Sequence, residues 1–146
     1  MKRILLIMIS ASMLLYPAFS RDSNGVVTDS KSRLEWQNDD TDYVKFSARF
    51  SKFWEEALIY CEELTLGGQD DWRLPNIIEL ESIVDDTKDS PAVNSAFVSI
   101  DGKYWSSTTV AISDLFSAWC VDFFHGFSYF YDKADKKNIM CVRGGE

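Results

Sequence analysis

An α+β domain is what this sequence predicts, and three observations carry that expectation. Apolar residues recur at helical spacing between Trp54 and Val84, the composition turns to β-type from Tyr104 onward, and aromatic residues make up 14% of the chain, enough large rigid side chains for one core. A length of 146 residues with 46% hydrophobic and 26% charged positions suits one folded domain and excludes disorder as the dominant state.

The chain opens on Lys2 and Arg3, continues in the apolar run Ile4 to Leu15, and then reaches Tyr16-Pro17-Ala18-Phe19-Ser20 with small residues at 18 and 20. That order is the layout of a secretory signal peptide, expected over residues 1–20 with cleavage after Ser20 and a single domain over 21–146. The apolar run is 12 residues, short of the about 20 that a membrane-spanning helix needs, so no stable membrane insertion is expected once the leader is removed. No cysteine follows the cut to carry a lipid. The expected location is the periplasm or the outside of the cell.

From Arg21 to Gln37 the text reads as short strands, Val26–Thr28 and Leu34–Trp36, with Asn24-Gly25 as a turn. Residues 38–51 read as polar and irregular. A first helix is expected where Trp54, Ala57, Leu58, Cys61 and Leu64 share one face, with Glu55 and Glu56 in the first turn and Gly67-Gly68 as the stop. Asn76 and Glu79 form a capping box for a second helix whose buried face is Ile77, Leu80, Ile83 and Val84. Asp85 to Ser90 reads as a polar loop ended by Pro91. Four strands then follow, at Tyr104–Val110, Ser117–Phe124, Ser128–Asp132 and Asn138–Arg143, with turns at Gly126 and at Asp135 to Lys137.

The formal charge is -8, and it becomes -10 when residues 1–20, which hold Lys2 and Arg3 and no acid, are removed. A nucleic-acid partner held by phosphate neutralisation is excluded on that charge. Three cysteines remain in an oxidising compartment, so one disulfide and one leftover thiol are expected, with three pairings open in principle. Cys120 lies in the apolar run Ala118 to Val121, where a small buried thiol is ordinary, which favours Cys61 with Cys141.

Several strings taken in order resemble one known family: Val27-Thr28-Asp29 and Leu34-Glu35-Trp36-Gln37, the helix positions Trp54, Ala57 and Cys61, Asp71-Trp72-Arg73-Leu74-Pro75-Asn76 with Glu79-Leu80, Tyr104-Trp105-Ser106-Ser107-Thr108, and Cys141-Val142-Arg143-Gly144-Gly145. Together they are similar to the DUF1566 family, also called the Lcl C-terminal domain, across residues 24–145. The resemblance implies a compact fold related to C-type lectins and to the formylglycine-generating enzymes, with two helices flanking small twisted antiparallel sheets. It implies a cysteine on the first helix bridged to one near the chain end, in agreement with the favoured pairing. It also implies an adhesin-like binding role, associated in the family with sulfated glycosaminoglycans.

Arg73, fixed in Asp71-Trp72-Arg73-Leu74-Pro75, suits a carboxylate or sulfate ligand, while the competing reading has it paired internally with Asp71, Glu79 or a late acid. Trp105 offers a ring for stacking in a strand with one packed and one polar face. Ser106 and Ser107 lack a G-x-S-x-G elbow, and His125, the only histidine, falls at a turn without a visible partner, so no catalytic residue is assigned. Asp85 to Asp89 begins like a calcium loop but lacks the sixth-position glycine and twelfth-position glutamate. Cysteine and histidine show no zinc spacing, and neither metal nor cofactor is expected.

The strongest ligand signal is the run Phe123 to Tyr131, six aromatic residues in nine, of which alternation can turn only half inward. Phe127, Tyr129 and Tyr131 are the residues expected to meet a ligand, with Trp105 and Arg73 beside them. The leading expectation is therefore a non-enzymatic, lectin-like module for extracellular carbohydrate or a cell-surface protein. Two other classes stand against it: a cysteine-dependent oxidase, which needs Cys120 and Cys141 as neighbouring thiols, and a structural envelope protein. With Lys133, Lys136 and Lys137 as the only dense basic cluster, weak heparin binding and a preference for neutral sugars are expected.

Overall fold

The computed structural model describes residues 18–39, 51–110 and 116–145. Most of the leader and the centre of the polar stretch, residues 40–50, lie outside the described residues. Among the described residues seven strands and two helices follow one another as β1 (Phe19–Arg21), β2 (Val26–Asp29), β3 (Leu34–Gln37), α1 (Trp54–Glu62), α2 (Ile77–Ser82), β4 (Lys103–Thr109), β5 (Ser117–Asp122), β6 (Phe127–Asp132) and β7 (Val142–Gly144). They build two antiparallel sheets, of order β1-β2-β3-β7 and β4-β5-β6. The α+β class is thus observed. No helix among the described residues is long and apolar enough to cross a membrane.

The first sheet joins the two ends of the domain, because β7 pairs with β3 in the register Leu34↔Gly144, Glu35↔Arg143 and Trp36↔Val142. Its β1 was not foreseen from the sequence and begins two residues before the expected cut. The expected long final strand shortens to β7, since Asn138 instead bridges Tyr104 and Met140 and Cys141 pass through the core.

Helix α2 starts where the capping box places it: Asn76 Oδ1 accepts from the Glu79 N–H at 2.9 Å and Glu79 Oε2 accepts from the Asn76 N–H at 2.8 Å. Helix α1 ends earlier than its apolar spacing suggests. Gly67 and Gly68 do not cap it; both have positive φ and form a tight turn of their own, with Leu66 and Gln69 exchanging backbone bonds of 3.0 and 3.1 Å.

Two apolar clusters divide the interior. One gathers Val27, Leu34 and Trp36 with Leu80, Ile83, Phe97, Tyr104, Val121 and Phe123, and the other gathers Ala57, Trp72, Leu74, Trp105, Ala118 and all three cysteines. Residues 91–101, for which no element was expected, supply Val93, Phe97 and Ile100 to the first cluster from irregular backbone. Because Tyr104 and Val121 belong to one cluster while Trp105 and Cys120 belong to the other, β4 and β5 are covered on both faces. The edge strand β6 extends past that cover.

Candidate functional site

The strings that carried the family resemblance meet in space, and they are engaged with one another. Arg73 and Val142 exchange backbone bonds of 2.9 and 2.8 Å, which fastens Asp71 to Pro75 onto β7. The Arg73 guanidinium pairs bidentately with Glu79, at 2.8 and 2.7 Å. Arg143 donates to Asp71 at 2.5 Å, to Glu35, and to Gln69 at 3.1 Å. Pro75 O accepts from the Ser107 N–H at 2.8 Å, and Thr108 Oγ1 accepts from the Ile77 N–H at 3.0 Å, so the Tyr104 to Thr108 string holds the start of α2. The register shift in β4 between Trp105 and Thr109 turns these groups toward that loop.

The electrostatics match this closure. Burial pushes the Glu79 carboxyl up, but the Arg73 guanidinium and the Asn76 N–H outweigh it and leave the group below the usual carboxylate range. Arg143 holds Asp71 low in the same way. Of the two alternatives for Arg73, the internal pair is the one observed, and its Nη1 and Nη2 groups donate to Glu79 and to the carbonyl of Gly144.

Cys61 and Cys141 form the disulfide, spanning 80 residues, and Cys120 is a buried free thiol. Burial raises the Cys120 pKa to about 11 against smaller opposing effects of Lys137 and Lys103. A neighbouring dithiol is therefore not present. Ser106 is buried and donates to the carbonyl of Trp119 at 2.8 Å, an architectural bond. Asp85 accepts from the Thr87 N–H and hydroxyl and pairs with Lys88 at 3.6 Å. Among the described residues no group of three or more His, Cys, Asp or Glu is placed to hold a metal ion.

The open surface is β6. Pairing Cys120↔Tyr129, Ala118↔Tyr131 and Asp122↔Phe127 sets those three aromatic side chains on one face, while Ser128 and Phe130 point to the other. Phe127 is 61% exposed and Tyr129 42%, and Tyr131 is half-buried with its ring 6.5 Å from that of Tyr129. Lys137 stands 4.1 Å and Lys103 5.6 Å from the Tyr131 ring centroid. Beneath the column, Asp122 accepts from the Phe124 N–H at 3.0 Å and meets Lys103 at 3.8 Å and His125 Nδ1 at 3.3 Å. His125 is thus a turn residue with a carboxylate neighbour that itself caps the turn.

Two expectations are corrected here. Trp105 shares the face of the column but is fully buried, its indole N–H donating to the Lys52 carbonyl at 2.9 Å, with the Lys137 ammonium lying near both its ring and that of Tyr131. It supports the surface from below. The basic residues are also denser than the linear count, since Lys103 joins Lys137 at Tyr131 while Lys133 lies over Trp54 at 4.1 Å and Lys136 over Phe53 at 4.9 Å. Sequence reasoning passed over Phe116, which is exposed, and did not separate Phe130, which meets Trp119 edge-on at 5.5 Å on the opposite face. Strict alternation along β6 was the available signal for the latter.

No curated protein matches the chain at a significant level. The sequence pattern described as the Lcl C-terminal domain matches residues 25–143, a span that holds the disulfide, the two arginine clamps, the second sheet and all of the first sheet but β1 and the last residue of β7, and the chain belongs to that family.

Proposed function

We propose that this domain is an exported, non-enzymatic binding module of lectin-like fold, and that its ligand lies along the aromatic column of β6. The observation that carries this reading is the exposure of Phe127 and Tyr129 beside Tyr131 on an edge strand of a sheet whose other two strands are covered on both faces. Aromatic faces of this kind stack on the apolar sides of sugar rings and on extended protein segments, and large exposed apolar surface on a small domain marks an interaction site. The bridge from α1 to the chain end supports the relation to C-type lectins that the family resemblance implies. Polar groups elsewhere that could orient a ligand, Arg73 and Arg143 above all, are committed to internal carboxylates.

Neutral carbohydrate is the preferred class, because Lys103 and Lys137 are each held by an acid, Asp122 and Asp135, which weakens their pull on a polyanion. The oxidase reading lacks a second thiol beside Cys120. A glycan array probed with the purified exported protein, with and without calcium, tests the proposal. Binding that disappears in Tyr129→Ala and Phe127→Ala with melting unchanged is the expected result. Binding that survives both substitutions would place the ligand elsewhere.

A further inference from the structure

We infer that β6 pairs edge to edge, antiparallel, with the β6 of a second copy of this chain; the inference goes beyond the glycan reading and does not rest on it. Two backbone bonds set which groups of β6 face away from β5. Ser117 O accepts from the Val110 N–H at 3.1 Å, so Ser117 is turned toward β4, and Phe116 O accepts from the Lys133 N–H at 2.7 Å. Alternation from those positions turns the backbone of Phe127, Tyr129 and Tyr131 toward β5 and that of Ser128 and Phe130 outward. Among the described residues nothing bonds to the outward N–H and C=O groups of Ser128 and Phe130.

The opposite edge of the same sheet is closed by the chain itself. Along β4, the Trp105 N–H donates to Asn138 O at 3.0 Å, Lys103 O accepts from the Asn138 N–H at 2.8 Å, and the Ser107 N–H donates to Pro75 O at 2.8 Å. An edge left open is ordinarily blunted by a lysine, a proline or a bulge. From Phe127 to Tyr131 there is no charged residue and no proline, and the pairing with β5 runs without a register shift. Exposed apolar rings flank the open groups, with Phe127 and Phe130 on opposite faces.

The register identifies the occupant as a second copy, because the run Phe127-Ser128-Tyr129-Phe130-Tyr131 is complementary to itself. A two-fold axis through Tyr129 sets Tyr129 opposite its counterpart, Phe127 opposite the second copy's Tyr131, and Ser128 opposite the second copy's Phe130. Ser128 and Phe130 are the residues with outward backbone groups, so each such pair exchanges both of its hydrogen bonds. Ring meets ring on one face of the joined sheet, and serine makes room for phenylalanine on the other. Asp132 falls opposite Gly126, whose φ of 77° ends the strand, and its carbonyl is already taken by the Asp135 N–H at 2.8 Å. No acid of one β6 therefore faces an acid of the other, although the chain carries -8. A ladder this short covers less than the about 1,200 Å² at which stable complexes begin, which makes the dimer a reversible one. Pairing in the plane of the sheet leaves its faces open, so two aromatic columns join into one surface with adjoining ligand sites.

Sedimentation of the purified exported protein without glycan, from about 1 μM to about 1 mM, tests the pairing. A monomer–dimer equilibrium is expected. Ser128→Pro removes an outward N–H and leaves the bonds to β5 intact, and it should weaken association at least about tenfold. Ile78→Lys, on an exposed position of α2, should leave it unchanged. A protein monomeric at about 1 mM would leave the edge to a strand of some other protein and overturn the inference, as would a dimer that survives Ser128→Pro or is lost in Ile78→Lys. A cross-link reads the register independently. Tyr129→Cys is made with Cys120→Ser, because Cys120 is the residue across the ladder from Tyr129. Air oxidation should join two copies through position 129, where the two Cα atoms stand about 4.5 Å apart, within disulfide range. Ser128→Cys in the same background should stay unlinked, since its counterpart lies two residues along. Linkage at 128 and not at 129, or at neither, would overturn the pairing. A monomer that binds glycan would sink this inference and leave the proposed function standing, and a dimer that binds none would do the reverse.

Discussion

The disulfide end of the molecule and the β6 edge are built from the same kinds of residue and do opposite things with them. At the first, Trp72, Arg73, Arg143 and Cys141 each meet a partner within the domain: Trp72 donates to the carbonyls of Leu66 and Gln69, the arginines clamp Glu79, Asp71 and Glu35, and the cysteine is bridged. At the second, Phe127, Tyr129 and Phe130 stay exposed on a strand that pairs on one side only. A satisfied group adds to stability and has little left to offer a ligand, whereas an unsatisfied apolar face weakens the monomer slightly and is available for binding. Residues that define the family therefore read as scaffold, and the candidate site lies in a segment the family strings leave out.

The sharpest way to break this contrast is to remove the bridge. Cys61→Ser or Cys141→Ser is expected to lower unfolding free energy by about 4.5 kcal/mol, the chain-entropy value for a loop of 80 residues. Cys120→Ser should cost about 1 kcal/mol, for a hydroxyl in an apolar site. Denaturant unfolding under non-reducing conditions measures all three, and equal losses would show that the bridge does not dominate that end.

Next in size is a pair of aromatic truncations on one face of the second sheet. Trp105→Ala should cost about 4 kcal/mol through cavity formation and the lost indole bond to Lys52. Tyr129→Ala, two positions across the ladder, should change stability by less than about 0.5 kcal/mol while reducing binding to an array-identified glycan at least about tenfold, about 1.4 kcal/mol. A large stability loss from Tyr129→Ala would show that the column is core and not site.

Acid should act on the clamped end first. The Glu79 carboxyl is lowered in the folded state from its usual 4.5, so the folded protein binds fewer protons than the unfolded one near that value. Its contribution is present above about pH 4.5 and declines as the pH falls through the lower folded value. Urea midpoints between pH 7 and pH 3 should fall in the parent and fall less steeply in Glu79→Gln. An identical slope in both would remove the Arg73 clamp from the acid response.

The smallest expected effect concerns heparin. Retention at physiological salt should be weak, because a formal charge of -8 opposes long-range attraction and Lys103 and Lys137 each face an acid. Strong, salt-sensitive retention abolished by Lys103→Gln with Lys136→Gln would move the ligand class from neutral to anionic and assign it to the lysines around Tyr131 and Phe53.

Local signals were legible where the physics is local. The Asn76 cap, the Asn24-Gly25 turn and the alternation of β4 to β6 are fixed by residues within a few positions of one another, and each is found where the sequence puts it. The shortening of α1 was not legible, because Gly67-Gly68 reads equally well as a helix stop or as a separate tight turn. Residues 91–101 carry no periodicity, so their burial of Val93, Phe97 and Ile100 could be found only from what they pack against.

What the sequence determined by itself is the α+β class, the family, the favoured cysteine pairing and the aromatic hairpin as the place to look, all of them readable from composition, short-range spacing and order along the chain. Tertiary structure alone decided which aromatic rings stay in water and which basic groups stand together. Trp105 and Tyr129 sit on the same face of one sheet, yet the chain around Lys52 and Lys137 covers the first and leaves the second open. Lys103 and Lys137, 34 positions apart in sequence, meet at the Tyr131 ring for the same reason. Exposure depends on what packs from far away in sequence, and alternation fixes only the face on which a side chain starts.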